Sequence, residues 1–512
     1  MVRRSAGFLC TTALILAQVA VAQDTAEGRT ARYMESIRGN PSLLLAFLRK
    51  MPKGGDLHNH LAGSIYAESL IDFAAEDGFC VDRTTSFLIA PPCDRSCDKY
   101  ASKPQVSCAY QDQVLYNSMV DAWSMRNWTA GEGSGHDHFF ASFDKFFPAY
   151  ANHIGDSLAE VTRRAAADHL QYLELMHTAD GMQAAQLGAK LGWHDDLPKM
   201  RNGLLSGGLA QVVSAARQAL DREESKMKSG LGCGTAQAEA GCAVTVRYLY
   251  QVLRGLPREQ VFAQILLGFE LAQADSRFVG LNLVMPEDWY VPMHDFDLHM
   301  KMLDYLHGVY SKVHISLHAD ELAMGLVPPD GLGFHIRESV EKGHAERIGH
   351  GVSVMNEERP TELLKELAMR NVLVEICLTS NDVILGVRGK DHPLATYRKF
   401  GVPVALASDD EGVSRSDMTH EYLRAVQDQG LSYADLKQMA RASLEHSFLP
   451  GKSVWADAKG VKKNPACAAD DPVAGRYSAR CTTFLDSSQK AGAEWTLERQ
   501  FEIFEKQVAE GK

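Results

Sequence analysis

Residues 313–321 read Val-His-Ile-Ser-Leu-His-Ala-Asp-Glu, an alternating run that closes on His318, Asp320 and Glu321. A histidine at a strand's end, with a carboxylate three residues on, pairs a metal ligand with a proton carrier. Most His-x-x-Glu spacings are solvated loop ends, so this one takes its meaning from four other segments. They are Asp56-Leu57-His58-Asn59-His60, Arg347-Ile348-Gly349-His350-Gly351, Glu375-Ile376-Cys377-Leu378-Thr379-Ser380-Asn381 and Ala407-Ser408-Asp409-Asp410. Each places metal- or proton-capable groups directly after a short apolar run. His58 and His60, two apart on a strand, point to one face and can reach one metal ion.

The elements that must carry these groups alternate along the chain. Residues 27–50 read as a helix ending at Met51-Pro52, and Lys53 to Leu61 as the first strand. A helix over 64–78 follows, then an irregular, Cys- and Pro-rich stretch over 79–112. The aromatic stripe from His138 to Phe147 predicts a helix facing the core. Seven further strands are expected at 170–176 (ending at His177), 243–252, 278–284, 313–319, 347–351, 372–378 and 402–407. Helices between them are expected at 208–228, 257–274, 295–310, 334–342 and 360–370. Eight strands alternating with helices over some 350 residues predict a (β/α)₈ barrel in a single domain, 23–512, with an insertion at about 79–135. A C-terminal helical extension, about 450–512, contains the segment between Cys467 and Cys481. In such a barrel the chemistry sits where strands end, so His58, His60, His318, His350, Asp409 and Asp410 converge on one mouth. Three imidazoles and a carboxylate suit a single zinc ion that keeps one position open for water.

Composition bounds the partners. The chain has 512 residues, 45% of them hydrophobic, and a formal net charge of −12. Arg3 and Arg4, the apolar run from Phe8 to Ala20, and Ala20-Val21-Ala22 read as a signal peptide over 1–22. Its removal takes away two arginines and no acids, so −12 becomes −14. An acidic exported protein is a poor candidate for nucleic-acid or anionic-membrane binding. Of ten cysteines, Cys10 lies in the signal and Cys377 in a buried-looking strand. The other eight predict four disulfides: Cys233–Cys242, Cys467–Cys481 and two among Cys80, Cys93, Cys97 and Cys108, with connectivity open. A periplasmic or extracellular site follows; oligomeric state is not legible.

The motifs Met51-Pro52-Lys53 with Asp56-Leu57-His58-Asn59-His60-Leu61, His318-Ala319-Asp320-Glu321, Ile348-Gly349-His350-Gly351 and Ser408-Asp409-Asp410 resemble the adenosine deaminase family, in particular its secreted, growth-factor-like branch. The resemblance covers most of residues 50–450. It implies that His58, His60, His318 and Asp409 hold zinc, and that Glu321 protonates purine N1 as hydroxide attacks C6. His350 would orient the attacking water, and Asp410 would bond N7. The aromatic run from Phe140 to Tyr150 is similar to the segment beside the family's substrate entrance. The implied activity is conversion of adenosine, or a related or 5′-modified adenine nucleoside, to its inosine counterpart and ammonia; another amidohydrolase-type hydrolysis is the runner-up. Two departures bear on the sugar and base. Ala62 stands where the family carries an acid for the ribose 5′-hydroxyl, and Met285 where it carries a glycine whose N–H bonds N3. Asp288 or His294 would have to supply the missing sugar contact.

Other readings fit less well. A cytidine-type zinc deaminase needs H-x-E before P-C-x-x-C, but His344-Ala345-Glu346 follows Pro92–Cys97, whose cysteines are spaced C-x₃-C. A two-metal amidohydrolase needs a bridging ligand, often a modified lysine after strand four, and 281–288 holds no lysine. A binding protein with a dead site has no physical need of a complete ligand set. His177, His294 and His299 read as structural or pocket-lining.

Overall fold

A computed structural model describes residues 25–131, 133–457, 460 and 462–511. The expected signal peptide therefore lies outside the described residues. Eight parallel strands pair in chain order: β1 (Gly54–His60), β2 (Leu170–His177), β3 (Thr245–Leu253), β4 (Phe278–Val284), β5 (His314–Ala319), β6 (Arg347–His350), β7 (Leu373–Ile376) and β8 (Val404–Leu406). Their runs of Leu, Val and Ile are buried on both faces, as an all-parallel sheet wrapped by helices requires. The (β/α)₈ barrel expected from the sequence is the observed fold.

The barrel closes at the one point where β8 is too short to pair along its length. Asn59 bridges Asp409 in parallel; His60 N–H donates to Asp409 O at 3.0 Å, and Asp409 N–H to His58 O at 2.9 Å. Two expected ligand segments thus form the seam itself.

The expected single helix over 27–50 is two helices, Ala26–Ile37 and Pro41–Lys50. Gly39 relaxes the chain, and Asn40 then caps the second helix by accepting Leu43 N–H, with Pro41 at its first position. Within the insertion, Gln113–Ala122 is helical and Cys80–Val81 pairs antiparallel with Leu88–Ile89. The aromatic helix runs over Gly135–Asn152, longer than the stripe that announced it, because Ser134 caps it at Asp137 N–H. Helices at Ile154–Ala167, Gln183–Leu191 and Leu197–Leu204 were not among the expected elements.

The disulfides are Cys80–Cys93, Cys97–Cys108, Cys233–Cys242 and Cys467–Cys481, leaving Cys377 as a buried free thiol. Four bridges agree with an oxidising compartment. Among the described residues no helix is long and apolar enough to cross a membrane. Alkylation of the unfolded, unreduced protein is expected to label at most Cys377 when read by intact mass. Labelling at any of the eight paired positions would overturn the bridging.

Candidate metal and catalytic site

The interior of the barrel is polar along one column. Glu174 on β2 accepts from Tyr172 Oη at 2.7 Å, from Phe448 N–H at 2.7 Å and from Arg347 Nη2 at 2.6 Å. Arg347 Nε lies 2.7 Å from Glu375 Oε1, which also accepts from Ser316 Oγ at 3.1 Å. The other Glu375 oxygen meets His58 Nδ1 at 2.7 Å. Burial alone would raise Glu375, but the Arg347 guanidinium and His58 hold it below the usual carboxylate range. The column delivers a full negative charge to the back of His58.

Two further imidazoles are held the same way. His318 Nδ1 meets Asn282 Oδ1 at 2.9 Å, and that oxygen also accepts the His318 backbone N–H at 3.1 Å. An oxygen that accepts a backbone N–H is fixed as an acceptor, so His318 carries its proton on Nδ1. His60 Nδ1 meets Gln251 Oε1 at 3.0 Å. All three rings therefore spend Nδ1–H on an acceptor and turn an Nε2 lone pair inward. His60 Nε2 and His318 Nε2 lie 3.1 Å apart, and His58 Nε2 has no hydrogen-bond partner. Asp409 Oδ1 stands 3.3 Å from both His58 Nε2 and His60 Nε2, its other oxygen fixed by Ser380 Oγ at 2.6 Å. The ligating atoms of His58, His60, His318 and Asp409 fall within 4.8 Å of one another. Facing lone pairs repel unless a cation shares them, so this donor set fits a divalent ion with N and O preference.

The remaining predicted residues surround that point. His350 ends β6 with Nε2 3.7 Å from Glu321 Oε1. Burial, then the Asp409 and Glu287 carboxylates, push Glu321 well above the usual carboxylate range. Burial pushes Asp410 up to about 8, with Asp409 adding to the rise and His60 opposing it. Burial would also raise Asp409, but the His58 and His60 imidazoles, 3.3 Å away, reverse this and hold it well below the usual carboxylate range. A Cβ at Gly63 would sit 1.6 Å from Asp410 Oδ1, and one at Gly349 2.5 Å from His58 Cε1, so both places need glycine. Cys377 lies within reach of His58 and His350, but burial keeps it a thiol.

Met285, Asp320, His350 and Asp409 take φ of 91°, 61°, 67° and 61° at the ends of β4, β5, β6 and β8. A non-glycine residue held there costs about 1–3 kcal/mol, and such strain collects at functional sites. Met285 thus adopts the backbone a glycine would. Of the two candidates for a sugar contact, Asp288 is engaged by His136 Nε2 at 2.9 Å, and His294 is exposed, bonded to Asp295 and stacked on Tyr290. His177 accepts or donates to Tyr150 Oη at 3.2 Å, while His299 is buried.

The supporting partners Gln251, Asn282, Ser380 and Glu287 were not foreseen. Glu287 Oε2 accepts the Glu321 backbone N–H at 2.8 Å and so fixes the turn that carries the expected proton donor. The signal available was a lone polar residue inside an apolar strand, as in Val279–Val284 and Val372–Ile376.

A family model described as adenosine deaminase matches residues 154–462. The adenosine deaminases of Salmonella heidelberg and Salmonella typhimurium are each 27% identical over 406 residues, spanning 77% of this chain and 93% of theirs. Among solved structures, an amidohydrolase from Burkholderia ambifaria with bound Zn aligns with a TM-score of 0.55 at 15% identity, over 91% of this chain and 95% of that one. An Arabidopsis protein complexed with IMP aligns with a TM-score of 0.50 at 20% identity, over 78% and 93%.

Replacing Glu375 by Gln removes the charge behind His58 while keeping the volume. Metal affinity, measured by competition with a chromophoric chelator, is expected to fall about 10–100-fold. An unchanged affinity would mean that His58 needs no such support.

Proposed function

Because the chain belongs to the adenosine deaminase family, we propose that it hydrolyses the exocyclic C6–N bond of adenosine or a closely related adenine nucleoside. Water and nucleoside enter; the inosine counterpart and ammonia leave. The observation that carries the reading is the set of three imidazoles whose Nδ1–H groups are all occupied, leaving their Nε2 atoms converged beside Asp409. His58, His60, His318 and Asp409 would hold one zinc ion per chain. Zinc supplies Lewis acidity that brings the ionisation of water toward neutral pH.

The chain's own groups divide the rest. Glu321, kept neutral by burial and neighbouring carboxylates, donates its proton to N1 and so makes C6 electrophilic. His350, against Glu321, orients the attacking oxygen and stabilises its developing charge. N7 is an acceptor and needs a donor; Asp410, pushed up to about 8, carries a proton at pH 7. The Met285 N–H, on its glycine-like backbone, is assigned to N3. Four disulfides and the expected signal support an exported enzyme.

Glu321→Gln fills the same space without the proton. It is expected to bind metal normally and lose about 10²–10⁴ in kcat, the usual worth of general acid catalysis. Near-normal turnover by the metal-loaded variant would assign the proton elsewhere.

Ala62 offers no side-chain acceptor to a 5′-hydroxyl, and Asp288 is already engaged by His136. The enzyme is therefore expected to treat adenosine and 5′-deoxyadenosine within a few-fold in kcat/KM, and to accept 5′-modified nucleosides. A preference for adenosine of about 10²-fold or more would show that the hydroxyl is bound, since a hydrogen bond to a charged group is worth about 1.5–3 kcal/mol.

A further inference from the structure

An imidazole beside a reaction centre acts as a donor only if its proton is on the nitrogen that faces the reaction. Which nitrogen that is depends on what the other one meets. For His350 the answer is passed along a line of buried side chains that begins at a group of unambiguous polarity. The Leu394 backbone N–H donates to His392 Nδ1 at 3.2 Å. That nitrogen is therefore an acceptor, and the neutral His392 ring carries its proton on Nε2. His392 Nε2 lies 3.1 Å from Asn381 Oδ1 and donates to it. With the amide oxygen turned to His392, Asn381 Nδ2 faces His350 Nδ1 at 3.0 Å and donates in turn. His350 Nδ1 is thereby an acceptor, and its proton belongs on Nε2, on the side of Glu321. Asn381, His392 and His350 are buried to 0%, 2% and 0% exposure, so bulk water cannot substitute at any link.

We infer that His392 and Asn381 are positioning residues, a relay of hydrogen-bond polarity anchored on the Leu394 N–H that sets the Nε2–H tautomer of His350. The relay connects two βα segments: Asn381, on the helix Leu378–Leu385, and His392, just before the helix Leu394–Phe400, both follow β7, and His350 ends β6. Among the described residues, His392 is not part of the converged His, Cys, Asp and Glu groups. What the tautomer is used for rests on the deaminase reading: an Nε2–H is then aimed at the attacking oxygen, where a lone pair would repel it.

The relay makes a prediction that simple structural support does not. Asn381→Asp keeps the size and both contacts, but a carboxylate only accepts. It would draw the His350 proton onto Nδ1 and leave a lone pair facing the reaction. His392→Gln keeps an N–H donor toward Asn381 Oδ1, whereas His392→Phe removes it and frees the amide to turn.

The test uses the full-length, zinc-loaded protein with ¹⁵N-labelled histidine. Long-range ¹H–¹⁵N correlation reads the tautomer, and the His350 signals are assigned by their loss in His350→Gln. The unmodified protein is expected to show protonated Nε2 and bare Nδ1 at His350, and Asn381→Asp the reverse. With Asn381→Asp, kcat on adenosine is expected to fall about 10²-fold or more, the usual worth of one such donor, with KM within a few-fold. His392→Phe should fall similarly and His392→Gln should retain most activity. A proton on Nδ1 in the unmodified protein, or an Asn381→Asp variant with unchanged tautomer and kcat, would overturn the relay. If Asn381→Asp fails to fold, the unmodified tautomer and the contrast between the two His392 variants decide: equal loss in both would overturn it. The expected tautomers in a protein that deaminates no adenine nucleoside would uphold the relay and sink the deaminase reading, so the two fail separately.

Discussion

Lone pairs repel, and the inward nitrogens of His60 and His318 face each other at 3.1 Å. The barrel brings them there by occupying every alternative. Gln251, Asn282 and Glu375, on three different strands, each take the Nδ1–H of one histidine and leave its Nε2 no partner but a cation. The fourth candidate ligand, Asp409, is also the residue through which β1 and β8 join. Closing the fold and completing the candidate metal site are therefore coupled through one residue. A displacement of β8 would open the seam and remove the carboxylate together.

That arrangement requires charge inside a barrel normally filled with branched apolar side chains. Glu174, Arg347 and Glu375 are buried as an alternating column whose last member backs His58. Breaking a buried pair by removing one partner typically costs about 3–5 kcal/mol, so the column ties the stability of the barrel to the electrostatics of the site. Four strained residues ring the same mouth; Asp320 directly precedes Glu321, and Asp409 is itself a candidate ligand.

The strands, and the residues that converge on the candidate metal site, were legible in the sequence, since short apolar runs ending in His or Asp register both the strand and its exit. All eight strands fall where those runs lie, with ends shifted by at most two residues, as at Thr245 and Val404. The residues that orient the candidate ligands were less legible: Gln251 and Asn282 gave no signal that was used, and Glu375 stood in a noted segment without a role. All three sit within strands, and sequence cannot tell whether a polar residue there turns into the barrel toward a particular histidine. The relay through His392 depends on the direction of a backbone N–H, which exists only once the loop is folded. Similarly, the helix over 27–50 broke because Asn40-Pro41 is a helix start, a local cap that overrode a continuous amphipathic pattern.

The central claim is that a single cation shared by three imidazoles and Asp409 is what makes this mouth catalytic. The direct measurement is ammonia release from adenosine on one purified preparation, alongside elemental analysis, as a strong chelator strips the metal and zinc is then returned stoichiometrically. The account predicts activity that falls to background as zinc is removed and returns in proportion, reaching its maximum at about one zinc per chain. Full activity in metal-free protein, or a maximum reached only at two ions per chain, would contradict it.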